Sequence, residues 1–277
     1  MQQESLGNKR YLLIFKDEFS GFRKIYFLRE KSEVFEKLKK FCIELENQFG
    51  KNVREIHSDG GKEYINKNVD SFLSNRGIKH SVNVPYTPQQ NGVAERDNRI
   101  IVEAARSMIY AKPDLPLSLW AEAMNTAVYV INRTGPTRHS GKTPYELWFD
   151  KTANINNLKI FGTECFIHIP NEKRRKLDKK AEKGFVVGYI EDCKGYRVYI
   201  PSLKDVIVSR DVLFKQEKVV PNQVEIKSQR EQNNTYDSGI LSDEDLERRI
   251  EKEKRYNVIV RRNLCSLQVV TAQMQDS

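Results

Sequence analysis

The chain is 277 residues long, with 39% hydrophobic and 31% charged residues and a formal net charge of +9. This is enough apolar content to bury a core in one or two domains. No apolar run approaches the ~18 residues of a membrane-spanning helix, and Met1 to Arg10 lacks the charged-then-apolar layout of a secretory leader. The expectation is a nuclear or cytoplasmic protein with no membrane contact. Cys42, Cys165, Cys193 and Cys265 have no short paired spacing and no histidines at zinc-ligand intervals, so they read as buried or free thiols. Residues 151–215 hold fourteen Lys and Arg against eight Asp and Glu, a basic excess that suits a polyanionic partner and equally an ordinary solvated face.

Taken in order, Tyr11 to Phe15 is a β-prone apolar run, Phe19 to Gly21 a turn, and Arg23 to Leu28 an alternating strand, which together predict a hairpin. Asp17 and Glu18 fall in its connection, where a turn role is ordinary. A helix follows from Ser32, with Phe35, Leu38, Phe41, Cys42, Leu45 and Phe49 at helical spacing and Gly50 as its stop. Val53 to Ile56 is a short strand running into His57, Ser58, Asp59 and the Gly60-Gly61 break. Ile65 to Arg76 is a second amphipathic helix closed by Gly77, and Ile78 to Val84 another strand. Alternating strands and helices define an α/β class.

Pro85 to Gly92, with two prolines and an Asn-Gly pair, reads as a loop, and Glu95 as the opening acid of a helix reaching about Tyr110. Pro116 to Asn132 predicts one more helix, in which Trp120 is a core aromatic, as is Trp148 further on. After Gly141 the pattern turns to short β-like runs at 162–169, 184–190, 196–200, 206–209 and 212–214, the mark of a small antiparallel barrel. From Gln216 polar and mixed-charge residues dominate, with one helix-like stretch from Ser242 to Arg255, so this tail is expected to be disordered or loosely attached.

Asp59, at a strand end, and Glu95, in a helix's first turn, carry the chemistry. Paired carboxylates suit hard cations such as Mg²⁺ or Mn²⁺, and two such ions held ~3.5–4 Å apart serve phosphoryl transfer. Arg99, four residues beyond Glu95, shares its helix face and can meet a phosphate. On spacing alone, the stronger reading is the ordinary one, with Asp59 a turn residue and Glu95 an acid favoured by the helix dipole.

The text around the two acids decides between these readings. His57-Ser58-Asp59-Gly60-Gly61 with Glu63 and Tyr64, then Pro85-Tyr86-Thr87-Pro88-Gln89-Gln90-Asn91-Gly92-Val93-Ala94-Glu95-Arg96, closely resembles the catalytic core of retroviral-type integrases, specifically those of Copia-type retrotransposon Pol polyproteins. The resemblance extends through Tyr11 to Gly21, the Trp120 helix, Gly141-Lys142-Thr143-Pro144-Tyr145-Glu146 and the β-rich region to about Phe214. It implies a ribonuclease H-like core lacking its first strand over residues 1–140, a small basic β-barrel over 141–215 and a disordered or loosely structured tail over 216–277. It implies an Asp-Asp-Glu triad holding two Mg²⁺ or Mn²⁺ ions for processing DNA ends and joining them to target DNA. Asp59 is then the second member and Glu95 the third, both catalytic and metal-binding.

The resemblance also implies DNA contact at Tyr86, Gln89 and Asn91 and a homo-oligomer; beside it, Arg99 stays a candidate phosphate contact from its helix spacing, and the charge of Lys173, Arg174, Arg175 and Lys176 suits phosphate tracking and equally a solvated hairpin tip. One departure bears on activity. The family's first Asp lies on a strand before the Tyr11 hairpin, whereas Met1 to Leu6 contain no Asp, and the His and Cys zinc region that precedes the core in the family has no counterpart. Impaired integrase chemistry is therefore expected, with a catalytically inactive nucleic-acid-binding remnant as the alternative.

Overall fold

The computed structural model describes residues 3–50, 52–82, 88–139, 141–169, 179–191, 194–215 and 266–272, with backbone alone for 88–95 and 266–272. These residues fall in one compact unit made of 1–215 and 265–277; a second unit, 216–264, lies outside them, as does the helix expected at 242–255.

The first sheet is built from β1 (Tyr11–Asp17), β2 (Arg23–Leu28), β3 (Glu55–Ser58), β4 (Lys79–Val82) and β10 (Ser266–Ala272), in the order β2-β1-β10-β3-β4. The predicted hairpin is present: β1 and β2 are antiparallel, and Asp17 takes the turn role, its Oδ2 accepting from Ser20 N–H at 2.8 Å and Ser20 Oγ–H at 2.6 Å. Alternation on β1 sorts its side chains between two cores, as a strand buried on both faces requires. Leu12 and Ile14 meet the helices α3 (Pro88–Tyr110) and α4 (Trp120–Thr134) through Ile101, Ala105, Trp120 and Met124. Leu13 and Phe15 face α1 (Val34–Phe49) and α2 (Lys67–Asn75) through Leu38, Phe41, Val69 and Leu73. Trp120 is buried as expected, and Phe15 stacks on Phe41 at 4.6 Å.

The helix boundaries follow local chemistry. α1 is preceded by a 3₁₀ turn, Lys31–Glu33, whose capping box joins Glu30 and Glu33, so the expected Ser32 cap is displaced by two residues. It ends at Gly50, whose φ of 62° is the left-handed conformation glycine adopts without penalty. α2 starts from Asn66, whose side chain accepts from Val69 N–H at 3.0 Å. A short helix that the sequence reading passed over, α5 (Pro144–Phe149), has a complete Thr143–Glu146 capping box with Pro at its start, and Trp148 stacks on Phe22 at 4.9 Å. Its Trp148 packs on the core that β1 shares with α1 and α2, beyond the boundary expected at residue 140.

Two differences concern the site. The expected loop over 85–92 is helical from Pro88, because proline's fixed φ suits a first helical turn and its missing N–H costs nothing there; residues 83–87 lie outside the described set. Glu95 therefore sits two turns into α3 rather than in its first turn. The second difference is β10. It comes from the stretch expected to be a loose tail, yet it pairs antiparallel with β1 along Leu12↔Ala272 to Asp17↔Leu267 and parallel with β3 along Glu55↔Ser266 to His57↔Gln268. A run with two consecutive valines has the β-branched character a strand needs, but its partners lie far away in sequence.

The second sheet is antiparallel throughout, β8-β7-β6-β5-β9, from β5 (Glu164–His168), β6 (Ala181–Tyr189), β7 (Tyr196–Ile200), β8 (Asp205–Ser209) and β9 (Val212–Phe214). Its own core holds Cys165, Ile167, Val186, Val198 and Ile200. Gly184 is required by close approach, since a Cβ there would lie 2.4 Å from Val198 Cγ1 and 2.9 Å from Tyr199 O. α4 joins the two sheets: Thr126 Oγ–H donates to Val187 O at 2.8 Å, and Glu122 accepts two 2.6 Å bonds from the Arg197 guanidinium.

Candidate active site

β3 delivers Asp59. Its last residue, Ser58, is buried, and Ser58 Oγ lies 2.9 Å from His80 Nε2 on β4, fixing the strand end. Gly60 (φ 79°) then turns the chain away, and Gly61 N–H donates to Asp59 Oδ1 at 3.2 Å, which orients the carboxylate. Beneath this turn lies the fully buried Tyr64, whose phenol is pushed up by burial first and then by Asp59 and Glu63. Glu63 itself is held by Lys31 at 3.5 Å.

Asp59 is solvent-accessible, yet its carboxyl is held above the ordinary value. Partial desolvation is the largest cause and Glu63 adds to it, while the Gly61 hydrogen bond pulls the other way. A partly desolvated carboxylate beside a second acid, with hard oxygens at an open strand end, suits a divalent cation in kind. In number the described donors fall short: among the described residues, no three His, Cys, Asp or Glu side chains are grouped so as to hold a metal ion. His57 is a strand residue as expected, half-buried between Glu55 at 3.6 Å and Glu18 at 4.0 Å.

α3 supplies the other expected residues. The backbone of Gln89, Asn91 and Glu95 is helical and their side chains lie outside the described set; Tyr86 and the Lys173, Arg174, Arg175, Lys176 cluster lie wholly outside it. Arg99 is exposed on α3. The helix packs on β10, the ladder neighbour of β3, so α3 lies over the strand next to the one that leads to Asp59. The register places Gln268 beside His57, and Leu267 to Thr271 bring no carboxylate to the strand next to Asp59.

Sequence reasoning missed the residues that hold α3. Asp97 is largely buried, with Lys16 Nζ against its Oδ2 and Arg23 Nη2 2.7 Å from its Oδ1. Nothing in the polar run Glu95-Arg96-Asp97-Asn98-Arg99 marks one acid as buried; the signal was the four-residue step from Asp97 to Ile101, Ala105 and Ile109.

Residues 3–88 match the integrase core domain family, and residues 163–229 match the retroviral polymerase SH3-like domain family. The first match takes in β1 to β4 and the second takes in β5 to β9, and together they define the class, an integrase core joined to an SH3-like domain. The chain is 40% identical over 219 residues to the retrovirus-related Pol polyprotein from transposon TNT 1-94 of Nicotiana tabacum, covering 79% of this chain and 16% of the relative. It is 32% identical over 211 residues to the Pol polyprotein from transposon RE2 of Arabidopsis thaliana, covering 76% and 14%. Among solved structures, the HTLV-2 integrase catalytic core domain in complex with magnesium superposes with a TM-score of 0.38 at 26% identity, over 49% of this chain and 83% of that one. The chain belongs to the retroviral-type integrases carried in the Pol polyproteins of Copia-type retrotransposons, and it spans a small part of those polyproteins.

Proposed function

We propose that this chain is the DNA-joining part of a retrotransposon integrase, acting on element DNA ends and target DNA as a homo-oligomer, with Asp59 and Glu95 as metal ligands. The observation that carries the reading is Asp59 itself: an accessible carboxylate at the end of β3, oriented by Gly61 and raised in proton affinity by partial desolvation, with Glu63 adding. Asp59 and Glu95 would hold Mg²⁺ or Mn²⁺, which when bound activates the attacking oxygen and takes up charge on the leaving one. The chain's own residues do the rest. Gly60 and Gly61 shape the turn that aims the carboxylate, Tyr64 supports it from below, and Arg99 offers a guanidinium to a phosphate four residues beyond Glu95.

The test is a strand-transfer assay on the chain within its longer Pol context, with Asp59→Asn as control. Joining by the parent and loss of at least about 100-fold in the variant is expected for a ligand of the reacting metal; equal rates would sink the assignment. A second reading is favoured by one observation, the absence of a carboxylate on the β10 residues that flank β3. It is DNA binding without chemistry, β10 bringing no third acid to the strand beside Asp59. It requires salt-sensitive DNA binding that survives Glu95→Gln and needs no metal, and salt-independent or undetectable binding by folded protein would exclude it.

A further inference from the structure

We infer that Asp97 is the positioning residue of this site: held between Lys16 and Arg23, it fixes the catalytic end of α3, and with it Glu95, on the β1–β2 hairpin. The inference rests on the reading of Glu95 as a functional acid. On α3 the inward stripe runs Ile109, Ala105, Ile101, all buried, and one turn earlier the same stripe is continued by Asp97. A charge occupies a position where an apolar side chain would bury at no electrostatic cost.

The two cations explain why. Lys16 and Arg23 are direct cross-strand partners in the hairpin, and like charges placed opposite one another repel. Asp97 gives one carboxylate oxygen to each, Oδ2 to Lys16 and Oδ1 to Arg23. Arg23 cannot drift, because Asn132 of α4 accepts from its backbone N–H at 2.9 Å and donates to its C=O at 2.7 Å, while Arg23 Nη1 donates to Gly21 O at 2.8 Å. The clamp thus ties α3 to β1, β2 and α4 at one point.

An apolar stripe permits a helix to slide and roll by small amounts, whereas a short Asp side chain reaching two fixed cations specifies both rotation and axial position. Glu95 lies two residues, about 3 Å of helix rise, from this point. Displacement at Asp97 is therefore carried to Glu95 almost undiminished.

The test uses the full chain, without DNA or metal. Cys42, Cys165, Cys193 and Cys265 are replaced by Ser or Ala, and nitroxide labels are placed at Lys62→Cys, near Asp59, and Arg96→Cys, next to Glu95, both exposed positions. Double electron–electron resonance then reads the distance between them. A single narrow distribution is expected in the parent, broadening and shifting in Asp97→Ala, with Lys16→Met and Arg23→Met each giving part of the change. A control pair on α1 and α2, Lys40→Cys with Asp70→Cys, is expected to keep its distribution. If Asp97→Ala fails to fold, Asp97→Asn, which keeps the shape and drops the charge, gives the same reading. An unchanged 62–96 distribution in a folded Asp97 variant overturns the proposal, as does equal broadening at both pairs or a parent distribution already broad. Because nothing here depends on catalysis, a failed joining assay would strike the role of Glu95 and leave the clamp standing.

Discussion

At the scale of single residues, the proton affinity of Asp59 makes a prediction with a definite sign. Its carboxyl is raised in the folded chain by partial desolvation, with Glu63 adding, so the folded state takes up its proton more readily than the unfolded chain. Its favourable contribution is present below the unfolded value of about 4 and is lost as pH rises through the folded value. Asp59→Asn is therefore expected to flatten the stability profile just above pH 4 and to leave the chain no less stable at pH 7. Urea midpoints across that range check it, and a variant less stable at pH 7 by more than the error would contradict it. The cysteines give a second test. Cys42 and Cys165 are buried and free, and burial pushes each thiol up to about 11, so neither is expected to react with a thiol reagent at pH 8 until the chain is unfolded. The turn at Asp59 was legible from Gly60-Gly61, whereas its reading as a metal ligand came from the resemblance of the surrounding motif. Tyr64, quoted as part of a motif, has its physical role only once the turn is seen folded over it.

At the scale of elements, legibility tracks how local the determining chemistry is. The β1–β2 hairpin, α1 with its Gly50 stop and α2 with its Gly77 stop all announce themselves within a dozen residues, and all are present. α3 was misread at its start because Thr87-Pro88 and Asn91-Gly92 serve a turn and a helix N-terminus equally well, and only tertiary packing chooses. α5 was overlooked although its signal, Thr143-Pro144 followed by Glu146, is a complete capping box; six residues are too few to show an apolar period. That cap carries weight because it aims Trp148 onto Phe22 and Phe49. Thr143 Oγ accepts from Glu146 N–H at 3.2 Å, and Thr143→Ala is expected to cost about 1 kcal/mol, measured as a lower urea midpoint with altered Trp148 fluorescence.

At the scale of the whole molecule, the first sheet is held together by the strand that sequence reasoning had no means to place. β2-β1 and β3-β4 share no ladder of their own; β10, more than 200 residues from β3, pairs with both. A short β-prone run in a polar tail carries no mark of its partners, because pairing is decided by a vacant slot between two distant strands and by the two cores that close over it. Gln268 stands at the centre of that join, opposite Lys16 on one side and His57 on the other. Proline there cannot donate to either ladder, and in a strand paired on both sides nothing replaces the lost bond. Gln268→Pro in the full chain should therefore leave backbone groups unpaired at roughly 1–3 kcal/mol each and raise amide hydrogen exchange in β1 and β3 together, while β6 and β7 of the second sheet keep their protection. Exchange unchanged in β1 and β3, with the substitution confirmed, would mean that the two halves of the sheet hold together without β10.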